Sequence, residues 1–128
     1  MSRKIVLAID DDPVQLDLFK MTLGANYDVR VVESASSALK YLNEDKADVI
    51  LLDIGMPNIC GFQFLSDIRK IISYFDVPII IVSGHTGKEF FDEARSSSAF
   101  DVLTKPVKVE TLIKTIEAAL RTTGTGVL

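Results

Sequence analysis

The chain has 128 residues, 48% of them apolar, which is the size of one domain with one hydrophobic core. The net charge of −4 argues against nucleic-acid binding through a basic surface, one cysteine excludes an internal disulfide, and one histidine excludes a zinc site built from histidines. The apolar runs are far shorter than the about 20 residues that span a bilayer. The first run also meets Asp10 too early for a signal peptide, so we expect a cytoplasmic protein without membrane contact.

Five short apolar runs alternate with five amphipathic stretches. The predicted strands cover residues 4–9, 28–32, 48–52, 78–82 and 100–103, and the predicted helices cover 13–23, 35–43, 61–72, 87–96 and 109–121. Several strands lack apolar–polar alternation, which is typical of strands buried on both faces. This order predicts an α/β domain with a parallel sheet and right-handed crossovers. We expect residues 122–128 to be a loose tail or the start of a linker.

In three helices, large apolar residues recur three or four positions apart and predict the face that packs on the sheet. They are Val14, Leu18 and Met21 in the first helix, Phe64, Ile68 and Ile71 in the third, and Leu112, Ile116 and Leu120 in the fifth. Phe90, Phe91 and Phe100 are either core residues or part of a partner surface. Because Phe90 and Phe91 are adjacent on a helix, they cannot both point straight inward.

Polar side chains follow four of the predicted strands. They are Asp10, Asp11 and Asp12 after the first strand, Asp53 after the third, Ser83 after the fourth and Lys105 after the fifth. In a parallel sheet these ends meet at one edge, where ligands of open α/β sheets bind. Carboxylates, a hydroxyl and an ammonium group at that edge suit a divalent cation and a phosphoryl group.

The three consecutive aspartates have different predicted roles. Asp12 precedes Pro13, which predicts a helix that begins with an aspartate cap and a proline in its first turn. Asp10 and Asp11 are either surface-loop residues or metal ligands. Two carboxylates about 4 Å apart repel each other by about 4 kcal/mol at an effective dielectric constant near 20. Asp53 at the same edge increases that cost, and Mg²⁺, which prefers oxygen ligands, would relieve it.

Asp53 and Lys105 are the candidates for phosphoryl chemistry. Asp53 either caps the turn after its strand or, beside bound Mg²⁺, attacks phosphorus and forms an acyl phosphate. Lys105 is either a solvated loop residue or the counter-ion of a phosphoryl oxygen, and its bond to Pro106 is a candidate cis peptide. Ser83 alone is a weak signal, because serine is common in the turns that follow strands.

These motifs together resemble the receiver domain of two-component response regulators. The resemblance rests on IVLAIDDDP at 5–13, DIGMP at 53–57, Gly61, Ser83 and AFDVLTKP at 99–106, and it covers residues 3–121. It implies a (βα)5 flavodoxin-like, doubly wound parallel sheet with strand order 2-1-3-4-5. The corresponding domain division is a receiver domain at 1–121, followed by the tail.

The resemblance also implies a function and a set of roles. Asp53 would accept a phosphoryl group from a phosphohistidine on a sensor histidine kinase or a histidine phosphotransfer protein. Asp10, Asp11, Asp53 and the backbone carbonyl of Gly55 would hold Mg²⁺, for which Mn²⁺ can substitute. Ser83 would be the switch hydroxyl and Lys105 the phosphate contact. The domain would be a signalling switch, not an enzyme, although it would assist its own phosphorylation and dephosphorylation. A homodimer through helix 4, strand 5 and helix 5 is the implied assembly.

Some positions depart from the family pattern. Val102 replaces the aromatic residue that usually moves inward when the switch hydroxyl closes on the phosphate, and Gly84 replaces a usual alanine. Output would then depend on the loop after Ser83 and on helix 4. In the resembled family, the positions of Gly55 and His85 line the path of the hydrolytic water. His85 is either a residue that orients or blocks this water, or a solvated loop residue.

A phosphatase of the haloacid dehalogenase type is the rival interpretation. Residues 10–14 contain D-x-D-x-V, which is similar to the nucleophile motif of those enzymes, and Ser83 and Lys105 could imitate their later motifs. Such an enzyme needs a further acidic motif at the end of another strand after the lysine. Only Glu110 and Glu117 remain there, both within a predicted helix, and D-x-G-M-P would stay unexplained. The sequence therefore favours the signalling domain.

Overall fold

The strands of this protein form from runs that are apolar at almost every position. The computed structural model describes residues 3–55, 61–71, 76–84 and 87–124. In chain order the elements are β1 (Ile5–Ile9), α1 (Pro13–Leu23), β2 (Asp28–Val32), α2 (Ala35–Glu44), β3 (Val49–Leu52), α3 (Gly61–Arg69), β4 (Ile79–Ser83), α4 (Lys88–Ser96), β5 (Asp101–Thr104) and α5 (Val109–Gly124). Every residue of β1, β3 and β4 is buried, as expected for strands covered on both faces.

The strands pair in the order β2-β1-β3-β4-β5, and all four pairings are parallel. This confirms the predicted α/β fold and strand order. The register pairs Ile9 with Leu52, Leu52 with Ile81, and Ser83 with Thr104. The carboxyl ends of β1, β3, β4 and β5 therefore lie side by side at one edge of the sheet.

The sheet has an apolar core on each face. On one face, β1, β3 and β4 contribute Leu7, Ile9, Ile50, Leu52, Ile79 and Ile81, which pack with buried residues of α2, α3 and α4. On the other face, Val6, Ala8, Val49, Leu51, Ile80 and Val82 pack with buried residues of α1 and α5. The helices on the first face are not equally anchored. Ala94 is the one buried residue of α4, whereas α3 buries Gly61, Phe64, Leu65 and Ile68.

The predicted buried face of α1 is wrong. Val14, Leu18 and Met21 are 72%, 49% and 78% exposed, and the buried residues of the helix are Leu16, Phe19 and Leu23. Both sets have helical spacing, so α1 carries two apolar stripes. The stripe that packs on the sheet is the one that contains an aromatic residue, Phe19. The predicted faces of α3 and α5 are confirmed: Phe64, Ile68, Leu112 and Ile116 are buried, and Ile71 and Leu120 pack against the core.

Several predicted element ends differ from the structure. β4 and β5 each continue one residue further, so Ser83 and Thr104 belong to the strands. α3 ends at Arg69, because the amides of Lys70 and Ile71 bond to carbonyls only three residues back. α5 continues to Gly124, past its predicted end at residue 121. The division into 1–121 and a tail stays a prediction, and residues 125–128 lie outside the described part.

Phe100, one of the three aromatic residues with two interpretations, is exposed rather than part of the core. Phe90 packs against the core and contacts both Phe91 and Phe62, with ring centroids 5.4 Å and 5.8 Å apart. Phe91 is half-buried. Among the described helices, none is long and apolar enough to cross a membrane.

The two stripes of α1 predict different costs of truncation. Leu16→Ala should lower the free energy of unfolding by about 2–4 kcal/mol, because it leaves a cavity in the core. Leu18→Ala on the same helix removes the same atoms from an exposed position and should change it by less than about 0.5 kcal/mol. Urea denaturation measures both values, and equal losses would contradict the assignment of the buried face.

Candidate functional site

β1 and α1 together place the first carboxylates. The amide of Asp10 donates to the carbonyl of Val32 at 3.2 Å, which extends the β1–β2 ladder by one bond, and the side chain of Asp10 is buried. Asp12 caps α1 by accepting from the amide of Val14 at 3.0 Å, with Pro13 in the first turn, which confirms the predicted helix start. The amide of Asp12 donates to Asp10 Oδ1 at 3.0 Å. This bond fixes the Asp10 side chain at the sheet edge.

Asp53 lies at the end of β3, directly beside Asp10. Its amide donates to the carbonyl of Ile9 at 3.0 Å, and its Oδ1 accepts from the amide of Gly55 at 2.9 Å. Only 8% of Asp53 is exposed, so its carboxylate lies in the mouth of the site and not in open solvent. Asp53 does cap the turn after its strand, but only through Oδ1, which accepts from the Gly55 amide. Its other oxygen, Oδ2, faces Lys105.

Three carboxylates meet here: Asp10, Asp11 and Asp53 each place one oxygen within 4.8 Å of the others. Asp10 and Asp53 are buried, whereas Asp11 is exposed. The donors are all oxygens, and the exposed side leaves room for water ligands, which is the combination that Mg²⁺ prefers. This donor set fits the expected metal. The structure places the amide of Gly55 in the site through its bond to Asp53, while its carbonyl as a further ligand stays a prediction.

Lys105 supplies the opposing charge. Its amide donates to the carbonyl of Ser83 at 2.8 Å, and its Nζ lies 2.9 Å from Asp10 Oδ2 and 3.4 Å from Asp53 Oδ2. Lys105 is therefore an ion-paired residue of the site, not a solvated loop lysine. Burial lowers its pKa, but the bonds to Asp10 and Asp53 more than offset this, so the pKa of Lys105 is raised and it stays a cation. The Lys105–Pro106 bond is cis, as predicted.

The pKa of Asp53 is raised above the ordinary value of an aspartate. Burial is the largest cause, and the nearby charge of Asp10 acts in the same direction. The bond from the Gly55 amide and the charge of Lys105 lower the pKa, but they do not cancel the other effects. The ammonium group of Lys105 thus contacts two of the three carboxylates, and the burial of Asp53 still disfavours its ionised form relative to an aspartate in water.

Ser83 and Val102 lie on neighbouring strands near this site. Ser83 is the buried last residue of β4, beside β5 through its register partner Thr104. Val102 is half-buried and packs against the core. Gly84 follows Ser83, and a Cβ built on it would meet nothing within 4 Å. Gly84 therefore has room for a side chain. His85 and the single cysteine, Cys60, lie outside the described residues.

Gly61 has a structural role that the sequence reasoning missed. A Cβ at this position would lie 2.7 Å from Ile54 Cα and as close to two atoms of the Ile54 side chain. Only glycine lets the start of α3 approach the turn Ile54–Gly55 this closely. Because this turn carries the amide that bonds to Asp53, Gly61 helps to fix the Asp53 carboxylate. A glycine at the first position of a predicted helix, where caps are more usual, is the only sequence signal of this role.

The sequence and fold are similar to those of known proteins. Residues 6–117 match the family described as response regulator receiver domain. Protein PilH of Pseudomonas aeruginosa is 34% identical over 116 residues, which cover 90% of this chain and 96% of PilH. Transcriptional regulatory protein GlrR of Escherichia coli is 33% identical over 116 residues, but the chain spans only 26% of its length.

Two solved structures show the same similarity. Chemotaxis protein CheY4 of Vibrio cholerae superposes with a TM-score of 0.86 at 32% identity, covering 93% of this chain and 100% of that one. A CheY-like receiver domain protein from Methanospirillum hungatei superposes with a TM-score of 0.89 at 25% identity, covering 98% of this chain and 99% of that one.

Replacing the buried charge of Asp53 should stabilise the protein in a pH-dependent way. Because the folded-state pKa of Asp53 is raised, its ionised form destabilises the fold above that pKa. Asp53→Asn should therefore raise the free energy of unfolding at pH 7 in chelator. The gain should shrink as the pH falls through the pKa of Asp53, since the parent carboxyl is then protonated. Urea denaturation between pH 4 and pH 7 tests this, and a gain that is the same at every pH would contradict it.

Filling the contact between Gly61 and Ile54 should disturb the site. Gly61→Ala should lower the free energy of unfolding by about 1–3 kcal/mol, because the added methyl group overlaps backbone atoms. The NMR amide signals of residues 53–55 should shift with it. Gly84→Ala is the matched control: it has open space and no positive φ, so stability should stay equal or rise slightly. Similar losses for both variants would show that the contact is not what requires Gly61.

Proposed function

Because this chain belongs to the response regulator receiver domain family, we propose that it is the phosphoryl-accepting switch of a two-component phosphorelay, with Asp53 as the acceptor. The observation that carries the proposal is the meeting of Asp10, Asp11 and Asp53 within 4.8 Å, together with Lys105 on two of these carboxylates. Receiver domains are signalling domains. We accordingly infer no turnover of an external substrate, beyond assistance to the gain and loss of this domain's own phosphoryl group.

We assign to Asp53 the role of nucleophile. One of its oxygens is held by the Gly55 amide, and the other, Oδ2, faces Lys105. In the transfer, Asp53 Oδ2 would form a bond to phosphorus while the phosphorus–nitrogen bond of a donor phosphohistidine breaks, and the imidazole leaves with that electron pair. Burial raises the pKa of Asp53, so a bound cation would favour the ionised carboxylate that attacks phosphorus.

Asp10, Asp11, Asp53 and the carbonyl of Gly55 are the residues to which we assign Mg²⁺, with Mn²⁺ as a substitute. Such an ion neutralises phosphoryl oxygens and the carboxylates around it when bound. Lys105 would then turn from the carboxylates of Asp10 and Asp53 toward a phosphoryl oxygen, because the new charge on Asp53 lies within its reach. The ammonium group thus serves as counter-ion before transfer and as phosphate contact after it.

We propose that the hydroxyl of Ser83 couples phosphorylation to a change of conformation. Ser83 is buried at the end of β4, and its carbonyl is bonded to the amide of Lys105. A hydroxyl that turns to the phosphoryl group would pull the loop toward α4, which buries only Ala94 in the core. Val102 is stiff at χ1 and has no ring to move, so we infer that the signal leaves through this loop and α4.

The donor protein needs a docking surface beside Asp53, and the exposed stripe of α1 is suitably placed. Val14 lies in the first turn of the helix, two residues after the cap Asp12, and Leu18 and Met21 continue the stripe away from the site. We propose that the histidine-bearing partner, a sensor kinase or a phosphotransfer protein, packs on this stripe. These three side chains form a small apolar surface, which suits a transient contact better than a permanent one.

The assembly and the cellular location of the protein are proposed on weaker grounds than its chemistry. A homodimer through α4, β5 and α5 and a cytoplasmic location are proposed from the family. The phosphatase alternative has no support in the geometry, because Glu110 and Glu117 both lie on α5 and not at the end of a strand. We infer no role in binding nucleic acid or membranes for this domain.

Phosphorylation should occur on Asp53 and require a divalent cation. After incubation with acetyl phosphate and Mg²⁺, mass spectrometry should detect one phosphoryl adduct on the parent and on Asp17→Asn, an exposed acid-to-amide control on α1. The adduct should be absent from Asp53→Asn, because the nucleophile is gone, and from the parent in chelator. An adduct that persists in Asp53→Asn would refute the assignment of the acceptor.

The stripe on α1 should control transfer from a protein donor but not from a small one. Leu18→Gln should slow phosphorylation by the sensor kinase that is most active on the parent by at least about tenfold, since it places an amide in an apolar contact. Phosphorylation by acetyl phosphate should be unchanged. Phe100→Gln removes another exposed apolar residue, one that precedes β5 at the opposite end of the sheet, and should leave both rates unchanged. Equal effects of Leu18→Gln on both donors would place its role in the fold and not in docking.

A further inference from the structure

A second cavity lies at the opposite end of the sheet from Asp53. It has a volume of about 610 Å³ and is bounded by the amino ends of β1 and β2, the carboxyl end of α1 and the connection from α2 to β3. Because β1 rises about 3.3 Å per residue over its five residues, the cavity lies about 17 Å from the phosphoryl site. Its size is within the range of about 300–1,000 Å³ that is typical of small-molecule sites.

The charge of this cavity is opposite to that of the whole chain. Four cationic side chains line it, namely Arg3, Lys20, Arg30 and Lys46, and Asp28 is the one carboxylate in the lining. The chain as a whole has a net charge of −4, and only 14 of its 128 residues are lysine or arginine. Positive charge is therefore concentrated at this end of the sheet, too far from the carboxylates at the other end to neutralise them.

Not all four cations are available to a ligand. Arg30 lies 2.9 Å from Asp28 and 3.3 Å from Asp45, so its charge is already balanced. Arg3 donates one guanidinium nitrogen to the carbonyl of Gly24 at 2.6 Å and keeps its other donors. The pKa of Asp28 is lowered, first by its bond to Arg30 and further by the charges of Arg30 and Arg3, which shows that cations dominate this corner.

Of the four cations that line the cavity, Lys20 and Lys46 have no carboxylate within ion-pairing distance among the described residues. The end of α1 accounts for part of this charge, because the last turn of a helix favours cations and both Lys20 and Arg3 lie beside it. It does not account for Lys46, which comes from a different element and lines the same cavity.

Apolar residues contribute less of the accessible lining than polar ones. Ile5, Tyr27 and Val29 complete the lining, but Ile5 and Tyr27 are buried and offer little surface to a ligand. A concave site with cations from three separate segments suits a small ligand that carries more than one anionic group. A flat acidic protein surface would reach the rim but would not fill the concavity.

We propose that this cavity, which we call the basic cavity, binds a small molecule that carries a diphosphate group. Lys20 and Lys46 provide point charges for the phosphate oxygens, and the free donors of Arg3 bond to them. The site is independent of phosphorylation at Asp53, because none of its lining residues belongs to the phosphoryl site.

Pyrophosphate is the probe, and the test is an NMR titration without magnesium at low salt. Amide signals of residues 3–5 and 27–30 should shift with saturation, while those of residues 53–55 and 103–105 should not. The double variant K20Q/K46Q should bind at least tenfold more weakly. K40Q/K114Q is the matched control, since it removes two exposed lysines that do not line the cavity, and it should bind within twofold of the parent.

Four results would overturn the proposal. The first is that sodium chloride at equal ionic strength reproduces the shifts, which would reveal general screening. The second is that K20Q/K46Q and K40Q/K114Q bind equally well. The third is that the shifts are centred on Lys105, which would place the anion at the phosphoryl site. Binding of polyglutamate but not of pyrophosphate would also reject a small ligand in favour of an acidic protein. Thermal unfolding of each variant confirms that the fold is intact.

Discussion

The structure depends on an imbalance of charge that the parallel sheet creates at its own edge. Pairing Ile9 with Leu52 brings Asp10 and Asp53 to the ends of adjacent strands, and Asp11 follows Asp10 directly. Two of these carboxylates are buried, so water screens them weakly. Among the described residues, the ammonium group that offsets them is that of Lys105, 2.9 Å from Asp10 and 3.4 Å from Asp53. The apolar core fixes the register, so the repulsion cannot be relieved by a slip of the strands.

Lys105 is the residue that makes the site tolerable before any ligand arrives. It bridges Asp10 and Asp53, although 95 and 52 residues separate it from them in the sequence. Its backbone is tied to Ser83, so the same short segment connects the two carboxylates with the end of β4. A charge added to Asp53 would change the contacts of Lys105 with Asp10 and Asp53. Because the amide of Lys105 is bonded to Ser83, such a change would begin in the segment that is tied to the predicted switch residue.

The sequence predicted most of the fold because the central strands β1, β3 and β4 are apolar at almost every position and helices separate all five strands. It also predicted which side chains share the sheet edge, since that follows from parallel topology alone. It did not predict the buried face of α1, because Leu16, Phe19 and Leu23 and the exposed Val14, Leu18 and Met21 have almost the same spacing. Only the packing against the sheet decides between two such stripes.

Other features depend on contacts between residues that are distant in sequence and ordinary in type. Gly61 matters because the backbone of Ile54 passes 2.7 Å from where its Cβ would be. Arg3, Lys20 and Lys46 form the basic cavity only because the ends of three segments converge. Neither a lone glycine nor three scattered cations gives a periodic signal, so no pattern in the sequence could reveal these contacts.

The uneven anchoring of the helices has a consequence for how the molecule can change shape. α5 buries Leu112, Ile116 and Ala119, and α3 buries four residues, but α4 buries only Ala94. Local opening costs least where few apolar contacts are lost. Backbone amides of α4 should therefore exchange with deuterium faster than those of α3 and α5, even when no ligand is present. The energy needed to move α4 should then be small compared with that of unfolding the domain.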